Sequence, residues 1–258
     1  MVDRVLDAGG GGELWAECEG SGTPVVLLHG AGVDSRLWNG VYPELARHHM
    51  VIRYDARGLG RSAPPGEPFW DVADLLGVLD HYGVEEASLV GMSMGGEAAL
   101  DFVLAHPARV SALALVGASV SGYHWPQTPD LAAYAAARRA GDAEHLARLE
   151  LAIWASLGPR APGWPMITAM VNDNAQKRFS NEKHAIYPSQ DAFSRLDQVS
   201  VPTLVVHGAA DHPEIGVIAA ALTARIPAAH SEVIAAADHY LPLRTPGHLT
   251  ALLRAHLS

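Results

Sequence analysis

The chain has 258 residues, 49% hydrophobic and 18% charged, enough for one sizeable core and unlike the composition of a disordered polymer. A formal net charge of −10, with no basic cluster able to track phosphates, argues against nucleic acid and anionic membrane surfaces as partners. The single Cys18 excludes an intrachain disulfide and has no cysteine partner for a metal site, and no apolar run approaches the ~20 residues of a membrane span. Met1-Val2-Asp3-Arg4 lacks the apolar stretch of a signal peptide, so a soluble cytoplasmic protein is expected.

In chain order, Gly9-Gly10-Gly11-Gly12 is expected to turn between two antiparallel strands, the second being Glu13–Cys18. Val25–Leu28 reads as a strand and runs into His29-Gly30-Ala31-Gly32. A helix over Arg36–Arg47 and a strand over Val51–Tyr54 precede the turn Asp55-Ala56-Arg57-Gly58-Leu59-Gly60-Arg61-Ser62. Helix Trp70–Tyr82 leads into strand Ala87–Val90, and helix Gly95–Ala105 ends at His106-Pro107. Strand Val110–Val116 follows. The strand–helix alternation then fails between about Ser119 and Ser200, where helical stretches (Asp130–Ala140, Glu144–Leu157) are broken by Gly158-Pro159 and Pro162-Gly163-Trp164-Pro165. It resumes with strands Thr203–Val206 and Ser231–Ile234 and helices Ile215–Arg225 and Pro246–His256. The alternation predicts a mostly parallel eight-stranded sheet flanked by helices, with residues 1–118 and 199–258 as core and 119–198 as a small helical lid inserted after the sixth strand.

Gly91-Met92-Ser93-Met94-Gly95 stands between a buried strand and a helix. A turn this tight strains the backbone of its central residue, and small residues two before and two after let the chains pass. Ser93 is thereby held at the C-terminal edge of a sheet, with a helix N-terminus beneath it. A serine hydroxyl needs a base, and that base needs an orienting group. Both should stand on loops at the same sheet edge. Asp211, in His207-Gly208-Ala209-Ala210-Asp211, and His239, in Ala237-Asp238-His239-Tyr240-Leu241-Pro242, occupy such loops in the chain order Ser, Asp, His. Asp238 and His212 are disfavoured as acid and base, because neighbours on an extended loop point apart. Backbone N–H groups of Met94 and Ala31 are the expected oxyanion donors, each worth about 3 kcal/mol of transition-state stabilisation. His29 is read as a structural residue holding that loop.

These segments resemble the α/β-hydrolase family along nearly the whole chain. The Asp55–Ser62 turn is similar to the family's D-x-R-G-x-G-x-S turn, which is structural there. Arg139-Ala140-Gly141-Asp142, Ile153-Trp154-Ala155 and Gly158-Pro159 resemble lid segments of 3-oxoadipate enol-lactonases, a branch shared with cofactor-free haloperoxidases. The resemblance implies the α/β-hydrolase fold and a Ser–His–Asp hydrolase needing neither metal nor cofactor. Arg244 departs from the glutamate usual in relatives, which puts helix packing or a surface contact in doubt.

Tyr123, His124, Trp125, Trp154, Trp164, Met166 and Met170 are expected to form an apolar ceiling over Ser93, with Tyr123, Trp125 and Trp154 as substrate contacts. The expected substrate is a small or medium, partly apolar ester or lactone. A carboxylate-bearing substrate would want a lid arginine, with Arg138, Arg139 and Arg160 as candidates. A carbon–carbon bond hydrolase, a perhydrolase, a biosynthetic thioesterase or cyclase, and a non-catalytic small-molecule receptor remain open on the same residues.

Overall fold

The computed structural model describes residues 4–7, 12–182, 184–186 and 191–258. Strands β1 (Arg4–Asp7), β2 (Glu13–Glu19) and β3 (Pro24–Leu28) are followed by a one-turn helix α1 (Tyr42–Leu45) and β4 (Met50–Tyr54). Helix α2 (Asp71–His81), β5 (Ala87–Met92), α3 (Met94–Ala105) and β6 (Val110–Val116) come next. Four helices then intervene: α4 (Pro129–Ala140), α5 (Ala143–Trp154), α6 (Trp164–Ala175) and α7 (Lys177–Glu182). The chain ends in β7 (Thr203–Gly208), α8 (Pro213–Arg225), β8 (Ala229–Ile234), α9 (Leu241–Arg244) and α10 (Pro246–Leu257).

The sheet order is β1-β2-β4-β3-β5-β6-β7-β8. Strands β3 to β8 run parallel, β2 pairs antiparallel with β4, and β1 adds to the edge through antiparallel pairing with β2. Gly9–Gly11 of the expected hairpin turn lie outside the described residues. The interior strand β5 is buried along its whole length, as a parallel strand covered on both faces should be. Alternate residues feed two apolar layers. Val26, Leu28, Leu89 and Leu113 pack with Leu75 and Phe102 of α2 and α3. Val25, Leu27, Val90 and Ala114 pack on the opposite face with Leu45, Leu249 and Leu253.

Two helical expectations need correction. Arg36–Arg47 is not one helix but a 3-10 turn at Ser35–Trp38 and the short α1, parted at Asn39-Gly40, with Pro43 in the first turn of α1. Conversely, Pro162–Pro165 does not mark a loop alone. Pro165 lies in the first turn of α6, where the missing N–H has no intrahelical partner to lose.

The Asp55–Ser62 turn is tied by its own side chains. Asp55 accepts from the N–H groups of Ser35 and Arg61, and Arg57 makes a buried two-pronged pair with Asp74. The helical insertion is fastened to this turn by Asn174, fully buried, whose Nδ2 donates to Asp34 Oδ2 at 2.9 Å while its Oδ1 accepts from the Gly60 N–H at 2.8 Å. Among the described residues no helix is long and apolar enough to cross a membrane.

Candidate active site

Ser93 joins β5 to α3 with φ 52° and ψ −119°, one of two non-glycine residues with positive φ among the described residues. Such a conformation costs an L-residue about 1–3 kcal/mol and persists only where its surroundings impose it. Here they do. A Cβ on Gly91 would fall 2.3 Å from the Gly95 carbonyl oxygen, and one on Gly95 would fall 2.5 Å from that of Leu28. Only glycines at both places allow the strand and helix to close this tightly. The Ser93 N–H donates to Val116 O of β6 at 3.1 Å, and its carbonyl accepts from Gly96 and Glu97 of α3 and from Ser119.

Asp211 and His239 follow β7 and β8, the next strands along the sheet from β6. His239 Nδ1 stands 2.9 Å from Asp211 Oδ2 and 3.1 Å from Oδ1, with both side chains almost wholly buried. Burial alone would lower the imidazole pKa, but the Asp211 charge and hydrogen bond outweigh it and hold His239 above its ordinary 6.5. Asp211 Oδ1 also accepts from the His212 N–H, which fixes the carboxylate.

Gly117, which the sequence reading did not single out, closes the gap between these loops. It has φ 51°, its N–H donates to Val206 O, and a Cβ there would lie 3.3 Å from both Asp211 Oδ2 and His239 Nδ1. No motif announces it; Gly117-Ala118-Ser119 is an unremarked tripeptide until β6 is set between β5 and β7.

The His29–Gly32 loop runs beside the serine: a Cβ on Gly30 would meet Ser93 Cβ at 3.2 Å. His29 serves this loop. Its Nε2 accepts from the Ala56 N–H at 2.8 Å, which assigns the proton to Nδ1, and Nδ1 donates to Gly30 O at 2.8 Å. Met94 is the first residue of α3, so its N–H has no intrahelical acceptor. Ala31 and Met94 thus stand on the two segments flanking Ser93.

Of the expected ceiling, Trp154 comes nearest to His239. The ring centroids are 4.6 Å apart at 38°, and the His239 N–H donates to Trp154 O at 3.3 Å. Trp125 packs edge-on against Trp154, and Tyr123 against Trp125, in a row leading away from His239. The Tyr123 hydroxyl donates to Glu214, and that bond, with burial, pushes its pKa up to about 12. Met170 is fully buried in the core and His124 is exposed.

The lid arginines also sort differently from expectation. Arg138, Arg139 and Arg160 are exposed, whereas Arg178 is buried against Glu150. Asp238, passed over as an acid, pairs with Arg244, both side chains fully buried. Its Oδ2 also accepts from the Leu157 N–H, and Arg244 Nη1 donates to Pro162 O at 2.6 Å. The departure at Arg244 is therefore neither a surface contact nor a packing defect: it ties the histidine loop to the helical insertion. Among the described residues no three His, Cys, Asp or Glu side chains gather as a metal-holding group.

A family model described as alpha/beta hydrolase fold matches residues 23–143. A curated relative, the 2-hydroxy-6-oxo-2,4-heptadienoate hydrolase of Pseudomonas putida strain F1, is 42% identical over 107 residues, 38% of each chain. The chain spans about two fifths of the length of the curated relatives it matches. Among solved structures, an esterase from Thermogutta terrifontis superposes with TM-score 0.84 at 26% identity, covering 100% of this chain and 98% of its own. Est816, described as an N-acyl homoserine lactone degrading enzyme, gives TM-score 0.82 at 27% identity, covering 98% of this chain and 99% of its own.

Proposed function

We propose that the chain, similar to the α/β-hydrolase family over residues 23–143 and in fold to solved hydrolases, is a serine hydrolase of that superfamily cleaving a small or medium, partly apolar ester or lactone. The observation that carries this reading is the strained Ser93 turn on β5 with the Asp211–His239 pair two and three strands along the same sheet edge. A hydroxyl has no reason to occupy so costly a backbone conformation for packing.

In this mechanism His239 Nε2 takes the Ser93 proton as Oγ attacks the carbonyl. The N–H groups of Ala31 and Met94 hold the oxyanion, and Asp211 fixes the imidazole tautomer and stabilises its cation. His239 then returns the proton to the leaving alcohol oxygen. Water, deprotonated by His239, releases the acyl group from Ser93. Trp154, whose ring lies tilted against that of His239, stands beside the proposed base and is the first substrate contact in this reading, with Trp125 beyond it.

The test is steady-state turnover of p-nitrophenyl esters of increasing acyl length and of small lactones. Wild-type turnover that falls by about 10⁶ in Ser93→Ala or His239→Ala, and somewhat less in Asp211→Ala, is the expected result. Turnover undiminished in Ser93→Ala would refute it.

A second reading, carbon–carbon bond hydrolysis, is favoured by the match to the heptadienoate hydrolase. Loss of 2-hydroxy-6-oxo-2,4-heptadienoate faster than that of any ester would make it the better account.

A further inference from the structure

A buried ion pair that the acyl chemistry does not use adjoins both the segment carrying the proposed base and the segment carrying a proposed oxyanion donor. Glu150 of α5 and Arg178 of α7 meet at 2.9 Å, with side chains only 6% and 10% exposed. The Tyr134 hydroxyl donates to Glu150 Oε2 at 2.6 Å, and the Tyr240 hydroxyl to Oε1 at 3.4 Å. Tyr240 directly follows His239. On the opposite side, a Cβ on Gly32 would lie 2.9 Å from Arg178 Nη1 and 3.5 Å from Glu150 Oε1. Gly32 directly follows Ala31. The pair therefore touches the neighbour of the proposed base and the neighbour of a proposed oxyanion donor. The Glu150 charge also acts on His239, adding to that of Asp211.

Stability is a weak reason for such a pair. Each buried ion gives up several kcal/mol of hydration, and well-packed apolar residues of similar volume often serve as well. Its place beside the reaction centre suggests selection of substrate. A guanidinium alone there would be a receptor for carboxylates, which it grips with its planar fork of donors. Glu150 occupies that charge, and two tyrosine hydroxyls hold the carboxylate in place.

Resting on the ester-hydrolase reading, we propose that Glu150 masks Arg178, so that the site selects neutral acyl groups and rejects those bearing a carboxylate. An anionic substrate would have to displace Glu150 from Arg178 or lie against its charge. This choice of substrate separates the chain from hydrolases acting on dienoates, which are carboxylates by name.

Dimethyl glutarate and monomethyl glutarate share one skeleton and differ in charge, so their kcat/KM ratio reads the mask directly. In the wild type the neutral diester should be preferred by about 10-fold or more, since juxtaposed like charges are strongly disfavoured. Glu150→Gln retains a side chain of the same shape without the charge, and should raise the relative rate on the monoester at least about 10-fold. Adding Arg178→Met should abolish that gain. Preference of the wild type for the monoester, an unchanged ratio in Glu150→Gln, or a gain that survives Arg178→Met overturns the proposal. The wild-type ratio needs no variant to fold. If no ester is hydrolysed by the wild type, the hydrolase reading fails separately, and calorimetric titration with glutarate and glutaramide still decides the mask. Glutarate binding gained in Glu150→Gln supports it, and no gain overturns it.

Discussion

Substituting Gly117 separates backbone strain from damage to the candidate site. Gly117 has φ 51°, a left-handed conformation that costs an L-residue about 1–2 kcal/mol. A smaller unfolded-state ensemble offsets part of this, so Gly117→Ala should lose about 1 kcal/mol of stability. In a chain of this size that lowers the midpoint by about 2–4 °C. The new methyl would also press on Asp211 Oδ2 and His239 Nδ1 at 3.3 Å and on His239 Cε1 at 3.4 Å, so the pair must give by a few tenths of an ångström. Small displacements of positioned groups are costly in rate, and kcat/KM for p-nitrophenyl acetate should drop about 10–100-fold. Gly83 supplies the control: φ 64°, with nothing within 4 Å of its would-be Cβ. Gly83→Ala should show the same thermal shift and full activity. Equal activity in the two variants, or an activity loss in Gly83→Ala as large as in Gly117→Ala, would refute the reasoning.

Four further outcomes follow from the same geometry. Ser93→Gly and Ser93→Ala should both be inactive, yet the glycine variant should be the more stable by about 1 kcal/mol in urea unfolding, because only glycine is free of the φ 52° strain; the reverse order contradicts that strain. Arg244→Met leaves Asp238 buried and unpaired and should cost about 3–5 kcal/mol by chemical denaturation, with part recovered in the double variant carrying Asp238→Asn. His239 must be neutral to act as base, so kcat/KM should fall with decreasing pH through a pKa above 6.5; a limb below 6.5 contradicts the Asp211 pairing. Asp71 is raised to about 7 by burial and then by Asp74, so its unfolded form ionises first and stability is lost as pH rises from about 4 to 7. Asp71→Asn should therefore stabilise by about 1–2 kcal/mol at pH 8, allowing for partial solvent screening, and by nothing at pH 4.

What could be read in the sequence was what local chemistry dictates. The Ser93 turn is legible because close chain approach demands glycines at fixed offsets, whereas the Asp55–Ser62 turn is legible only through its resemblance to the family's structural turn. The sheet and its helical insertion followed from apolar runs and their interruption. What stayed hidden is tertiary. No sequence motif pairs Glu150 with Arg178, which meet only when α5 and α7 of the insertion pack together, and Asp238 with Arg244, six residues apart, meet only through the bend that leads from the histidine loop into α9. Gly117 matters only because two loops from other strands converge on it. Helix α6 was obscured by prolines that break a helix interior but suit its first turn.

The central claim is that Ser93, activated by His239 and Asp211, forms a covalent acyl-enzyme. Its most direct measurement is the intact and peptide mass of the protein after exposure to diethyl p-nitrophenyl phosphate, which phosphorylates activated serines irreversibly. The account requires one diethyl phosphoryl group per chain on the Ser93 peptide, none in Ser93→Ala, and much slower labelling in His239→Ala. Labelling that persists in Ser93→Ala, or a folded wild type that resists the reagent, would contradict it.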